Sequence, residues 1–153
     1  YRTYVAERDK GRNTIFGKTL GELCSEANIP VGSIPALSQD TIKSVDVIWF
    51  DEEGYPTHAF EVDHTGDITE GLLHLYQIHK LKIKMFIISN QHDKFNKEVN
   101  KSPFIKIKEE FIFRNYNELN IFFENAKIFT KIKEEFLQDR GFVVGGIPPR
   151  EAH

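Results

Sequence analysis

Two apolar runs joined by a turn constrain the fold of this chain more than any other feature. Residues 45–50 are mostly β-branched and aromatic, and residues 58–63 alternate apolar and polar side chains as a half-buried strand does. Between the runs, Gly54 is free to adopt a positive φ, and Pro56 cannot continue a ladder in a central position. The pattern therefore predicts a β-hairpin.

The predicted hairpin brings three carboxylates to one face of a sheet. With the turn centred between Glu53 and Gly54, Asp46 falls opposite Glu61, and cross-strand partners have Cβ atoms roughly 5 Å apart. Asp63 follows Glu61 by two residues, so its side chain points to the same face. Like charges held this close raise one another's pKa unless a cation or hydrogen-bond donors compensate.

A divalent metal ion is one such compensation. Carboxylate oxygens without Cys or paired His ligands favour Mg²⁺, with Mn²⁺ as a substitute, and Mg²⁺ typically takes one or two carboxylates plus waters and phosphate. The alternative is that the three acids are solvent-facing residues on one polar sheet face.

The spacing of these residues resembles a known family. Asp46, a gap of fourteen residues, and the tripeptide at 61–63 resemble the PD-(D/E)XK nuclease superfamily, and the match spans about residues 17 to 90. The resemblance implies an α/β fold with a restriction-endonuclease-like core. Such a core has a mixed β-sheet with helices on both faces, in the order α-β-β-α-β, followed by further helices and strands.

The resemblance also implies roles for the residues at the hairpin. Asp46 would be the first metal ligand, Glu61 the second, and the carbonyl of Val62 a further one. Asp63 stands where the family usually has Lys, and no Lys lies between residues 45 and 63. In this E-x-D variant, Asp63 would bind metal or accept a proton from the attacking water. The alternative is that the activity has been lost.

An amphipathic segment precedes the hairpin. Leu20, Leu23 and Cys24 fall on one helical face over residues 19–27, and Pro30 ends the predicted helix. By the same resemblance, Glu22 would be an acidic residue of the first helix that reaches toward the metal. The alternative is an ordinary solvent-facing glutamate.

Apolar periodicity predicts the elements that follow the hairpin. We expect a helix from about Asp67 to Lys80 that packs across the sheet, with His74 and His79 as surface or packed side chains. A parallel strand at residues 82–89 follows. We further expect a helix at 91–101, a strand at 111–114 and helices at 117–126 and 127–139, with Gly141 near the end of the last helix.

Length and composition bound the class of protein. The 153 residues, 40% of them hydrophobic, fit one domain over residues 1–140, and the Gly- and Pro-rich residues 141–153 are expected to form a linker or tail. The single Cys24 excludes an internal disulfide framework and predicts a cytoplasmic setting. No apolar run is long enough for a membrane span. A chain that starts without Met is expected to be a portion of a longer protein.

Charge is segregated along the chain although the net charge is only −3. Residues 39–70 contain nine acids and one Lys, and residues 80–108 contain eight Lys and two acids. The basic block would neutralise phosphates beside the acidic site, or it is simply a solvated face. The residues proposed to bind nucleic acid are Lys80, Lys82 and Lys84.

Together with these patterns, the resemblance implies a Mg²⁺-dependent endonuclease that hydrolyses phosphodiester bonds in DNA, as the catalytic domain of a restriction-type or repair nuclease. A homodimer is expected for double-strand cleavage, because one such site hydrolyses one strand at a time. A further domain or subunit would supply sequence recognition. The alternative is a non-catalytic nucleic-acid-binding or assembly module that retains a nuclease-like fold. A third possibility is a Mg²⁺-dependent phosphohydrolase acting on nucleotides.

Overall fold

The computed structural model describes residues 1–30, 32 and 34–138. The chain divides into two units, Tyr1–Asn115 and Tyr116–His153. The expected single domain over residues 1–140 stays a prediction, and the expected tail at 141–153 lies outside the described residues.

A five-stranded mixed sheet forms the centre of the first unit. Its strands are adjacent in chain order: β1 (Arg2–Val5), β2 (Val47–Phe50), β3 (Pro56–Val62), β4 (Lys84–Ile88) and β5 (Phe111–Arg114). The β1–β2 and β2–β3 pairs are antiparallel, whereas β3–β4 and β4–β5 are parallel. The α/β class and the mixed sheet are therefore confirmed.

The hairpin between β2 and β3 has the predicted register. Val47 lies opposite Phe60 and Trp49 lies opposite His58, as predicted, whereas a register shift between Trp49 and Phe50 places Phe50 opposite Pro56 next to the turn. Gly54 has a φ of 90°, a left-handed conformation that glycine adopts without steric cost. Continuation of this register beyond the paired residues places Asp46 beside the end of β3.

The described residues of the first unit form four α-helices: α1 (Leu20–Leu23), α2 (Ala36–Ile42), α3 (Ile68–Ile78) and α4 (His92–Val99). Short 3-10 helices lie at Glu7–Asp9, His79–Leu81 and Phe104–Glu110. Helix α3 agrees with the prediction, because its apolar stripe is fully buried. That stripe consists of Ile68, Leu72, Leu75 and Ile78.

Helices α2, α3 and α4 pack on the same side of the sheet, which we call the helix face. Their buried side chains, such as Ile42, Leu72 and Phe95, form one core with Ile48 and Met85 of the sheet. The prediction of helices on both faces is not met by these three helices. The opposite side, the aromatic face, instead carries stacked rings: Tyr1, Trp49, His58, Phe60 and Phe86.

The segment before the hairpin differs from its prediction. Helix α1 ends at Leu23, because Cys24 is extended (φ −71°, ψ 141°) and the backbone N–H of Glu26 donates to the carbonyl of Thr3. The chain therefore follows β1 where the predicted helix would have continued. Strand β1 and helix α2 were not predicted at all.

The second unit contains α5 (Tyr116–Leu137), one continuous helix in place of the two predicted ones. No Gly or Pro interrupts it, so nothing in its backbone ends it near Ala126. Its exposed large apolar side chains are Leu119, Ile121, Phe122, Ile128, Phe129, Ile132, Phe136 and Leu137. The predicted helix end at Gly141 lies outside the described residues. Of the helices in the described part of the chain, none is both long and apolar enough to cross a membrane.

Candidate functional site

An acidic cleft of about 530 Å³ opens on the helix face where β3 ends and β2 begins. Asp46 precedes β2, while Glu61 and Asp63 lie at the end of β3. Their neighbours come from the segment after β1 and from α3. The charged and polar residues lining the cleft are Arg8, Asp9, Arg12, Asp46, Glu61, Asp63, His64, Thr65, Asp67, Glu70 and His74.

Asp46 is held by two partners. Its Oδ2 accepts a hydrogen bond of 2.7 Å from the backbone N–H of Val62, and its Oδ1 lies 2.5 Å from Nη2 of Arg8. The first contact joins the start of β2 to the end of β3 beyond the last paired residues. Asp46 and Glu61 therefore share one end of the hairpin, as the predicted register requires.

Glu61 is the most perturbed acid of the cleft. It is only 6% exposed, and burial raises its pKa to about 7; a hydrogen bond with His74 opposes this shift, and the charge of Asp46 adds to it. Nδ1 of His74 lies 3.0 Å from Oε1 of Glu61, and this hydrogen bond raises the pKa of His74. Near neutral pH the pair therefore retains a proton unless another cation compensates the carboxylate.

A glycine lets α3 approach this carboxylate. A Cβ placed on Gly71 would lie 3.1 Å from Cβ of Glu61 and 3.4 Å from Cδ1 of Ile87. A larger residue would require these neighbours to shift. Close packing of α3 against β3 and β4 thus depends on the absence of a side chain at position 71.

Asp63 is oriented by a turn and by the end of β4. Its Oδ1 accepts a hydrogen bond of 2.7 Å from the N–H of Gly66, and its Oδ2 accepts one of 2.9 Å from the hydroxyl of Ser89. Ser89 is buried, and Gly66 has a φ of 88°. Asp63 lines the cleft, but both of its oxygens have protein donors.

The side chains of the cleft offer few ligands to a metal ion. Among the described residues, no group of three or more His, Cys, Asp or Glu could hold a metal ion. Convergence of three carboxylates is thus not found, although Asp46 and Glu61 do line one cleft. Two hard carboxylates still fit Mg²⁺ or Mn²⁺, because Mg²⁺ keeps several waters and needs few protein ligands.

The remaining predicted site residues lie elsewhere. The carboxylate of Glu22 accepts a hydrogen bond of 2.7 Å from the N–H of Thr19, and this bond caps α1. Glu22 does not line the cleft. Lys80, Lys82 and Lys84 are exposed at the start of β4, the strand end opposite Ser89, and do not line the cleft. Their contact with nucleic acid stays a prediction.

Sequence reasoning missed four residues that line the cleft, Arg8, Asp9, Arg12 and His74. It also missed Ser89, which donates to Asp63. For His74 a signal was present, because Gly71 lies one helical turn before it and a glycine inside a helix often marks close packing. For Arg8 and Asp9 we find no signal. Their position depends on β1, whose pairing with β2 is not visible in the local pattern.

An α/β domain with a mixed sheet and an acidic cleft at a strand end is the class that this fold and site define. A family model described as "Type II restriction enzyme NmeDI C-terminal domain" matches residues 1–140. The chain belongs to this family. No curated protein and no solved structure matches the chain significantly.

Proposed function

We propose that this protein is a metal-dependent endonuclease domain that hydrolyses phosphodiester bonds in DNA as part of a restriction-type enzyme. Membership of a restriction enzyme family supports DNA as the substrate. The observation that carries the proposal is the buried Glu61, which lies with Asp46 in an open cleft and has a pKa raised to about 7. A buried carboxylate beside a second acid is costly unless a cation or a proton compensates it.

Asp46 and Glu61, with the carbonyl of Val62, are the proposed ligands for Mg²⁺, and Mn²⁺ is the proposed substitute. When bound, the ion would polarise the scissile phosphate and lower the pKa of a bound water. Asp63 would orient or deprotonate the attacking water, as a positioned carboxylate does within hydrogen-bond reach. The donors from Gly66 and Ser89 fix the orientation of this carboxylate.

His74 is proposed as a positioning residue for Glu61. Its Nδ1 lies 3.0 Å from Oε1 of Glu61, so this hydrogen bond orients the buried carboxylate. Glu61 must be ionised to bind a cation, and the imidazole ring is placed to take up the proton that the carboxyl group releases. Such outer contacts typically change metal affinity or activity by about 10- to 100-fold.

The finer assignment is part of the same proposal. The chain is proposed to be a PD-(D/E)XK nuclease with an E-x-D variant of the motif, and Lys80, Lys82 and Lys84 are proposed to contact the phosphate backbone. Two copies would be needed for a double-strand break, because each cleft would hydrolyse one strand. Glu22 is kept as a weaker candidate, because its carboxylate caps α1.

Plasmid cleavage tests the proposal. The purified protein should convert supercoiled DNA to nicked or linear DNA with Mg²⁺ or Mn²⁺, and not with EDTA. Asp46→Asn and Glu61→Gln should each lower the rate by more than about 100-fold, beyond the usual cost of losing an outer contact. Asp40→Asn is the matched control, because Asp40 is exposed on α2 and lies outside the cleft. Equal rates for Asp46→Asn and Asp40→Asn would contradict the proposal.

A non-catalytic nucleic-acid-binding module is the second candidate function. It is favoured by the partners of the acids: Arg8 neutralises Asp46, and Ser89 and Gly66 donate to Asp63. A folded protein that binds duplex DNA but cleaves neither supercoiled nor linear DNA with either metal would support this candidate over the first.

A further inference from the structure

The cleft contains two arginines that have no role in the proposed reaction. Arg8 and Arg12 both lie beside the buried Asp9: Nε of Arg8 is 3.5 Å from Oδ2, and Nε of Arg12 is 2.8 Å from Oδ1. Asp9 is only 8% exposed and forms ion pairs with both guanidinium groups, although within the described residues its Oδ1 accepts no hydrogen bond. The 3-10 helix Glu7–Asp9 after β1 thus places positive charge at the wall of the cleft.

Arg8 is the arginine that reaches the proposed ligands. Its Nη2 lies 2.5 Å from Oδ1 of Asp46, and its Nη1 donates to the carbonyl of Ser44 at 2.9 Å. Its positive charge also lowers the pKa of Glu61, although this effect is smaller than that of burial, which raises it. Arg8 is therefore held by two hydrogen bonds, to Ser44 and Asp46, and by an ion pair with Asp9.

The guanidinium of Arg8 retains donors for a ligand. Arginine has five N–H groups in a planar fork. Within the described part of the chain, the carbonyl of Ser44 and Oδ1 of Asp46 accept one N–H each, and Nε lies 3.5 Å from Oδ2 of Asp9 as an ion pair. One N–H therefore remains on each Nη nitrogen. The side chain is 52% exposed, and so it is accessible to a ligand. At that exposure an ion pair adds little to stability, so stability alone is a weak reason for this arrangement.

The excess of acidic residues in the cleft means that a phosphate group could bind there only beside a positive charge. Six acids line the cleft against two arginines. A phosphodiester entering there would be repelled unless positive groups faced it, and a guanidinium fork matches phosphate oxygens in a bidentate manner. The strand position at Asp63 supplies no positive charge.

We propose that Arg8 binds the scissile phosphate and supplies the positive charge that position 63 lacks. Nη1 and Nη2 donate to non-bridging phosphate oxygens while Asp9 and the carbonyl of Ser44 hold the guanidinium in place. The interaction with Asp46 would weaken if that carboxylate bound a metal ion. As negative charge grows on the phosphate in the transition state, a fixed donor of this kind stabilises it. This inference rests on the proposed function.

DNA binding without metal tests Arg8 independently of cleavage. Affinity for a labelled duplex is measured in EDTA between about 50 and 200 mM salt. Arg8→Ala should weaken binding by about tenfold, and the slope of log affinity against log salt should fall in magnitude by about 1, as expected for one lost phosphate contact. Arg8→Lys should keep the salt slope, because the charge remains.

Arg2→Ala is the matched control. Arg2 lies on β1, is 40% exposed and pairs with Glu26 at 2.5 Å, outside the cleft. It should leave both affinity and salt slope unchanged. Thermal unfolding of Arg8→Ala and Arg2→Ala should shift by similar small amounts, which separates a lost contact from a lost fold.

Single-turnover cleavage with Mg²⁺ supplies the second readout. Arg8→Ala should lower the rate by about 100- to 1,000-fold, as for other lost transition-state donors, and Arg8→Lys should recover part of it. If Arg8→Ala binds DNA with the wild-type salt slope, the inference is overturned. If the wild-type protein cleaves no DNA, the proposed function fails, and the binding measurements still decide the role of Arg8.

Discussion

The two faces of the sheet differ in how completely they bury their side chains. Along β3, Ala59 and Glu61 point to the helix face, whereas His58 and Phe60 point to the aromatic face. The helix face is closed by α2, α3 and α4, and most of its side chains are fully buried. The aromatic face consists of half-buried rings and the exposed Tyr1, and among them Phe60 and Phe86 stack at 4.9 Å. One strand therefore contributes both to a sealed core and to a partly open surface.

On both faces, burial favours the neutral form of a titratable side chain. Burial raises the pKa of Glu61 and lowers that of His58, with the nearby Lys84 adding to the shift of His58. The signs differ because a neutral carboxyl group carries a proton and a neutral imidazole lacks one. Only on the helix face does the titrating group also line a cleft with a second acid, so this is the face on which chemistry is expected.

The largest expected effect on the free energy of unfolding concerns the burial of the helix face by α3. Leu72 is fully buried, and its neighbour Leu73 is 42% exposed on the same helix. Leu72→Ala should lower the free energy of unfolding by about 2–5 kcal/mol, because it leaves a cavity. Leu73→Ala should change it by no more than about 0.5 kcal/mol. Chemical denaturation of the two variants measures the difference, and equal losses would show that α3 does not seal this face.

The second prediction concerns the pH dependence of stability. The folded pKa of Glu61, about 7, lies above its ordinary value of 4.5, so its contribution to stability is fully present below about pH 4.5 and is lost as the pH rises through about 7. The raised pKa of His74 acts in the same direction, with a contribution lost above its ordinary value of 6.5.

Glu61→Gln tests this dependence in the presence of EDTA. Gln resembles the protonated carboxyl group, so the variant and the wild type should be similarly stable near pH 5. At pH 8 the variant should be more stable by up to about 3 kcal/mol. Denaturation curves across this range provide the measurement. A difference that stays constant with pH would show that Glu61 is not desolvated in the folded protein.

Local sequence patterns predicted the β2–β3 hairpin and helix α3, but not strand β1 or every residue of the cleft. The hairpin register followed from Gly54 and the alternation of β3, and the stripe of α3 followed from its apolar spacing, because these are short-range properties. Strand β1 was missed, since four residues that pair only with distant β2 carry no turn or periodicity signal. The predicted helix at 19–27 was too long, because its second half follows β1.

The site was predictable in part for the same reason. Asp46 and Glu61 are brought to one cleft by the hairpin, whose register the sequence pattern determines. Arg8 is placed at the cleft by the pairing of β1 with β2, and His74 contacts Glu61 because α3 packs against β3. Both depend on tertiary contacts that a single sequence does not display. The donors to Asp63 from Gly66 and Ser89 likewise depend on the end of β4 meeting the turn after β3.

A smaller effect is expected where α3 touches the site. Gly71→Ala adds a methyl group 3.1 Å from Cβ of Glu61, which costs roughly 1–3 kcal/mol by overpacking, partly offset by the higher helix propensity of Ala. Because the strain falls on Glu61, cleavage should decrease more than stability. Unfolding free energy and cleavage rate are measured on the same samples. Wild-type cleavage in a destabilised Gly71→Ala protein would show that α3 does not position Glu61.

The smallest effect concerns the aromatic face. Phe60 and Phe86 stack with a ring separation of 4.9 Å and an interplanar angle of 20°. A double-mutant cycle with Phe60→Ala and Phe86→Ala should give a coupling free energy of about 0.5–1.5 kcal/mol, the usual range for an aromatic pair beyond its buried area. Neither variant should alter the pH dependence attributed to Glu61, since their side chains lie on the other side of the sheet. A change in that dependence would mean that the two faces are coupled through β3, and the contrast between them would then fail.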